Sequence, residues 1–92
     1  TQAAAPKRIR ERELRMSYKE QRDYETIDAR MAQLQGELEA LDRQIERSAS
    51  DFVKLTELTQ KREATRLALD EAEERWLYLT DLAERIEAQK KS

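Results

Sequence analysis

The chain has 92 residues, of which 41% are charged and 38% hydrophobic, and its formal net charge at neutral pH is −2. This composition is too polar for a conventional globular core, and the presence of only one glycine and one proline favours long helices over loops. The absence of cysteine and histidine excludes disulfides and histidine chemistry, and the lack of a membrane-length apolar run or signal-peptide pattern predicts a cytoplasmic protein.

Residues 1–16 are predicted to be a basic linker or a frayed helical lead-in. Residues 7–22 hold seven basic and three acidic side chains, a local charge of +4, whereas residues 23–92 carry −6. This separation of charge indicates a partner for the start of the chain. The candidate nucleic-acid-binding residues are Lys7, Arg8, Arg10, Arg12, Arg15, Lys19 and Arg22.

The first helix is predicted to cover residues 17–47. Ser17 and Glu20 match a capping box, in which each side chain accepts a hydrogen bond from the other residue's backbone amide. Seven apolar residues then recur in alternating steps of three and four, a heptad pattern that requires a partner helix. These residues are Tyr24, Ile27, Met31, Leu34, Leu38, Leu41 and Ile45.

A turn is predicted at residues 48–51, because two serines and an aspartate are good helix caps and poor helix-interior residues. A second helix is predicted over residues 51–88, with Lys90 and Lys91 near its C-terminal end, where cations are favoured. Its stripe has the same alternating spacing as the first. The stripe comprises Leu55, Leu58, Arg62, Thr65, Leu69, Ala72, Trp76, Leu79, Ala83 and Ile86.

Two heptad helices joined by a short connection predict an all-α fold, a two-helix antiparallel coiled-coil hairpin. The favoured register places Leu41 beside Arg62 and Ile27 beside Trp76. Trp76 is then a packing anchor. Arg62 either fixes the register or, as we favour, extends its guanidinium group to water.

The two ends of this hairpin are predicted to be covered differently. An aromatic layer that includes Tyr24 and Trp76 lies at the open end, and Phe52 and Val53 cover the tip. We expect the hairpin to be monomeric. The alternative is association into a longer bundle, which a measurement of mass in solution would detect.

No catalytic, cofactor-binding or metal-binding residues are predicted, and we expect the chain not to be an enzyme. A general base or nucleophile needs a desolvated pocket, which a two-helix rod does not offer. No glycine-rich phosphate loop and no zinc or calcium ligand spacing is present. The carboxylates are expected to form weak surface pairs, such as Glu71 with Arg75.

Two segments resemble a known family. Residues 16–25, Met-Ser-Tyr-Lys-Glu-Gln-Arg-Asp-Tyr-Glu, closely resemble the Leu-Ser-Tyr-Lys-Glu-Gln-Arg-Glu-Leu-Glu motif that opens the C-terminal domain of ABC-F ATPases, particularly the Uup-like type. Residues 72–79, Ala-Glu-Glu-Arg-Trp-Leu-Tyr-Leu, are similar to the end of that domain, and Asp51-Phe52 matches its tip. Family members often carry proline at the position of Asp28, so the helix break that proline would impose is not implied here.

The resemblance implies the C-terminal coiled-coil domain of a soluble ATPase with two cassettes, which bind ATP and magnesium outside these 92 residues. The family acts on ribosomes or, for Uup-like members, is associated with DNA. Our leading hypothesis is a nucleic-acid-binding appendage whose basic residues neutralise phosphates of DNA or ribosomal RNA. The alternative is a protein-interaction arm that contacts the ATPase cassettes or the ribosome, because the body's charge of −6 repels phosphates.

Overall fold

The structure of the protein is a computed structural model that describes residues 13–91. It contains two α-helices, α1 (Tyr18–Arg47) and α2 (Phe52–Lys91), and no strand within the described residues. The helices pack against each other after the short connection at residues 48–51. The predicted all-α helical hairpin is therefore confirmed, and the molecule is a rod with dimensions of 72 × 27 × 17 Å.

The predicted capping box begins α1 and is confirmed. The Ser17 hydroxyl oxygen accepts a hydrogen bond from the Glu20 amide at 3.1 Å, and the Glu20 carboxylate accepts one from the Ser17 amide at 2.8 Å. This arrangement satisfies two backbone donors at the helix start. The helix continues through Asp28 and Gly36 without a break.

Helix α2 begins with a single side-chain cap. The Asp51 carboxylate accepts a hydrogen bond from the Lys54 amide at 3.1 Å, which is the N-cap geometry predicted for this position. The helix extends to Lys91, beyond the predicted end near Ala88. The extra residues, glutamine and two lysines, are good helix formers, so nothing in the local sequence ends the helix earlier.

The core is a narrow stripe between the two helices, and Leu79 is completely buried within it. Seven of its eight buried apolar residues belong to the predicted stripes, and the eighth, Leu82, was not predicted. Leu82 lies one helical turn after Leu79 and therefore faces the same side of α2. The buried residues are Ile27, Leu34, Leu38, Leu58, Leu69, Ala72, Leu79 and Leu82.

Three predicted positions are more exposed than expected. Phe52 and Val53 do not cover the tip, because they are 81% and 69% exposed. They are the first two residues of α2, and α1 ends at Arg47, so no part of α1 extends over them. Tyr24 is 40% exposed and borders a shallow groove instead of lying in a closed aromatic layer.

The contacts between the helices agree with the predicted register. The Arg62 side chain forms an ion pair with Asp42, which is adjacent to the predicted partner Leu41. The Arg62 guanidinium group is thus drawn to the surface, and hydrogen bonding and charge attraction from Asp42 raise its pKa. Trp76 is half-buried and packs against the core cluster that contains Ile27.

Candidate nucleic-acid interface at the base of the hairpin

The base of the hairpin, defined here as residues 13–25 and 75–91, is its open end. Residues 13–17 are not helical and run beside the end of α2, where the Leu14 amide donates a hydrogen bond to the Gln89 side-chain oxygen at 2.6 Å. Met16 and Tyr24 line a shallow groove there together with α2 residues such as Ile86. The segment that precedes α1 and the last turns of α2 therefore meet at the base.

Four of the seven candidate nucleic-acid-binding residues, Lys7, Arg8, Arg10 and Arg12, lie outside the described residues. The other three, Arg15, Lys19 and Arg22, lie at the base. The Arg15 guanidinium is 3.9 Å from the Glu13 carboxylate, and the two side chains are 78% and 82% exposed. An ion pair so open to water is weak, so the charge of Arg15 remains available to a ligand.

Lys19 is partly neutralised by a carboxylate of its own helix. Its ammonium group lies 3.4 Å from Asp23, and the same Asp23 oxygen accepts a hydrogen bond from Arg75 Nε at 3.2 Å and lies 3.1 Å from Arg75 Nη2. Desolvation raises the pKa of Asp23, but the hydrogen bonds and charges of Lys19 and Arg75 outweigh it and leave that pKa below its ordinary value. The Lys19 side chain is 79% exposed, as open to water as that of Arg15, so this surface pair reduces the availability of its charge only slightly.

Arg22 contacts an aromatic side chain. Its guanidinium group donates a hydrogen bond to the Tyr18 hydroxyl at 3.1 Å and lies 5.7 Å from the centre of the Tyr18 ring, a cation–π distance. Within residues 13–91, no carboxylate forms an ion pair with Arg22. The Arg22 charge is thus exposed beside an exposed ring.

Two further cations at the base were not proposed as contacts from the sequence. Lys90 lines the same groove as Arg15, and Lys91 follows it as an exposed residue at the end of α2. From the sequence, their place near the end of a helix predicts only a favourable interaction with the helix dipole. The signal that identifies them is the antiparallel pairing itself, which brings the end of α2 next to the basic lead-in.

A polar cluster joins the two helices at the base. The Tyr78 hydroxyl donates a hydrogen bond to the Glu20 carboxylate at 2.5 Å, which lowers the pKa of Glu20 and raises the pKa of Tyr78. The Arg75 guanidinium lies 5.2 Å from the centre of the Tyr78 ring. We call Glu20, Asp23, Arg75 and Tyr78 the base clasp. Arg75 pairs across the helices with Asp23 in this clasp, so the predicted Glu71–Arg75 surface pair is not formed.

The charge of the hairpin differs between its base and its body. The body, residues 26–74, holds seven basic and twelve acidic residues, whereas the base holds seven of each. Some cations are matched along one helix, as in the Arg66–Asp70 pair at 3.5 Å. The body therefore repels a polyanion, and the base is the part of the described chain that a polyanion can approach with the least repulsion.

Neither helix is long and apolar enough to cross a lipid bilayer. The described part of the chain also contains no group of three or more acidic side chains arranged to hold a metal ion.

Comparison with known proteins identifies the family. Residues 15–81 match the ABC transporter C-terminal domain family. Over 88 residues, or 96% of this chain, the sequence is 34% identical to the uncharacterized ABC transporter ATP-binding protein YfmR of Bacillus subtilis (strain 168), and the match covers 14% of that relative. No solved structure matches the chain. The chain belongs to the ABC transporter C-terminal domain family.

Proposed function

We propose that this domain is a nucleic-acid-binding appendage, with DNA as its target, of an ABC-F ATPase of the Uup-like type. The principal support is the meeting of cations from both ends of the described chain at the base. Arg15 and Arg22 come from the segment before α1 and from its first turns, whereas Lys90 and Lys91 come from the end of α2. Four exposed cations at one end of a rod suit contact with phosphates, which gives affinity without reading sequence.

In this proposal the domain binds and does not catalyse. The longer protein would bind ATP and magnesium in its cassettes and hydrolyse ATP there, in the cytoplasm. The relative in Bacillus subtilis supports this division, because its name describes an ATP-binding protein and the match covers only 14% of its length. The hairpin would then hold nucleic acid while the cassettes carry out the ATP cycle.

The proposal is tested by titrating the 92-residue chain with fluorescently labelled DNA at several salt concentrations. We expect the logarithm of the binding constant to fall linearly with the logarithm of salt concentration, with a slope of about −0.7 to −0.9 for each phosphate neutralised. A variant with Arg15, Lys90 and Lys91 all changed to glutamine should bind more weakly and show a shallower slope. We call this the base variant. The control variant changes Arg43, Lys54 and Lys61 in the body to glutamine. Any loss of affinity that it shows should be smaller than the loss shown by the base variant.

Two results would contradict this function. Binding that depends neither on salt nor on the three base cations would exclude an electrostatic interface at the base. Equal losses in the base and body variants would show that total charge, and not its position, determines the affinity.

A second candidate is a protein-interaction arm that contacts the ATPase cassettes or the ribosome. The observation that favours it is the tip, where Phe52 and Val53 expose large apolar surfaces that the hairpin itself does not cover. Such a tip is suited to an apolar pocket of a protein partner. Co-sedimentation of the chain with ribosomes that is lost in a Phe52→Ala, Val53→Ala variant, and kept in the base variant, would favour the arm over the nucleic-acid appendage.

A further inference from the structure

The base carries an aromatic platform as well as cations. We propose that it binds single-stranded nucleic acid, with one unpaired base stacked on the Tyr18 ring and the neighbouring phosphate held by Arg22. This inference rests on the proposed nucleic-acid-binding function and specifies its ligand. The hairpin would then bind unpaired strands or frayed ends in preference to intact duplex.

Tyr18 is unusually accessible for a large ring. It is 77% exposed, whereas Tyr24 borders the groove and Tyr78 donates its hydroxyl hydrogen to Glu20 in the base clasp. Tyr18 is also not needed to cap α1, because Ser17 and Glu20 satisfy the amides there. Of the three tyrosines, Tyr18 alone combines a large exposed area with no cross-helix hydrogen bond among the described residues.

The side chains next to Tyr18 suit a nucleotide. Arg22 lies one helical turn further along α1, 5.7 Å from the ring centre, with its charge not used by any described carboxylate. Arg15 precedes the helix on the same end of the molecule and is almost fully exposed. An aromatic ring flanked by cations is the arrangement by which proteins bind single strands, since the ring stacks a base and the cations neutralise the phosphates.

A duplex does not satisfy this arrangement. Its bases are stacked on each other, so an exposed ring has no base face to contact unless the duplex opens or ends. A duplex lying along the rod would also meet the acidic body, with its twelve carboxylates against seven cations. A flexible single strand can contact the base alone. The ring, the cations and the charge of the body thus all favour an unpaired strand.

The test measures binding of the full 92-residue chain to a labelled single-stranded DNA, to the RNA of the same sequence and to the corresponding blunt duplex. Tyr18→Ala should weaken binding to the single strands by about 5- to 100-fold, the loss expected for one stacked base. Tyr18→Phe keeps the ring and should bind as the unmodified chain does. Phe52→Ala removes an equally exposed ring at the opposite end and is the matched control, with no expected change.

The DNA and RNA strands distinguish the source of the ligand, and a loss with either one supports the inference. A second measurement is independent of affinity. Irradiation of a bound strand that contains 5-iodouracil should crosslink the chain at Tyr18, and circular dichroism should show that every variant retains its helices.

Two outcomes overturn the inference, and they are distinguishable. If Tyr18→Ala binds single strands as tightly as the unmodified chain, while the variant lacking the charges of Arg15, Lys90 and Lys91 binds weakly, the stacking platform is wrong and the electrostatic function stands. If the unmodified chain binds no nucleic acid at low salt, both the platform and the proposed function are wrong.

Discussion

At the scale of single residues, the base clasp is the most specific polar arrangement in the hairpin. Glu20 serves both helices, because it caps α1 through the Ser17 amide and accepts the Tyr78 hydroxyl hydrogen from α2. Asp23 likewise contacts Lys19 on its own helix and Arg75 on the other. The clasp therefore fixes the start of α1 against α2, next to the proposed platform at Tyr18.

The clasp predicts how stability depends on pH. The pKa values of Glu20 and Asp23 are lower in the folded chain than their ordinary values, so the unfolded chain binds more protons and stability falls as pH decreases. The loss should begin near about pH 5, where the carboxyl groups of the unfolded chain start to bind protons, continue as the pH falls through the lowered folded pKa values, and be small between about pH 5 and 7. Thermal unfolding followed by circular dichroism at several pH values checks this prediction.

The variant that tests this dependence is Glu20→Gln. It should lose less stability on acidification than the unmodified chain does, since one of the two carboxylates with a lowered pKa is removed. Glu25→Gln, an exposed change on the same helix outside the clasp, is the control and should alter the profile less than Glu20→Gln does. A Glu20→Gln profile identical to that of the unmodified chain would contradict the role of the clasp.

Core packing gives the second prediction at this scale. Leu79 is fully buried, whereas Leu77, two residues earlier on the same helix, is 61% exposed. Leu79→Ala should lower the free energy of unfolding by about 2–5 kcal/mol, because it removes apolar contacts and leaves a cavity. Leu77→Ala should change it by less than about 0.5 kcal/mol. Urea unfolding measures both, and equal effects of the two substitutions would show that the helices do not pack as described.

At the scale of the helices, Gly36 lowers the stability of α1. A methyl group built at this position meets no atom within 4 Å, so alanine introduces no clash. Gly36→Ala should raise the free energy of unfolding by about 0.5–1 kcal/mol, since alanine loses less backbone entropy in a helix. The reciprocal control, Ala32→Gly at an exposed position of the same helix, should lower it by a similar amount.

Denaturation of both variants checks this prediction. A Gly36→Ala variant that is less stable than the unmodified chain would mean that α1 has an unseen neighbour at this position, for example a second copy of the chain.

The helices and their pairing could largely be predicted from the sequence, because each rests on a local or periodic pattern. The Ser17 capping box depends on two residues three positions apart, and the buried positions follow the heptad spacing. The ends of the hairpin could not be predicted in this way. Whether Phe52 and Tyr24 are covered depends on what lies opposite them, and the heptad pattern carries no information about where the partner helix stops.

The candidate site could be only partly predicted from the sequence, because it also depends on which residues lie opposite each other. Arg15, Lys19 and Arg22 were found from the clustering of charge, but that pattern does not distinguish Lys19, which pairs with Asp23, from Arg22, which pairs with no described carboxylate. Lys90 became part of the site only through the fold. The Tyr78–Glu20 contact required the relative rotation of the two helices, which the stripe pattern does not specify.

At the scale of the whole molecule, the hairpin is a rod with two unlike ends and an acidic body. The base holds the exposed cations Arg15, Arg22, Lys90 and Lys91, with Arg22 beside the exposed ring of Tyr18, and the tip exposes apolar side chains. A polyanion is therefore expected to bind end-on at the base, and not along the rod. This orientation is the central claim of the proposed function.

The most direct measurement is a nuclear magnetic resonance titration of the isotopically labelled chain with a short single-stranded oligonucleotide. We expect the backbone amide signals of residues 15–22 and 86–91 to shift, and those of the tip, residues 48–54, to stay in place. Shifts confined to the tip, or spread evenly over the body, would contradict it.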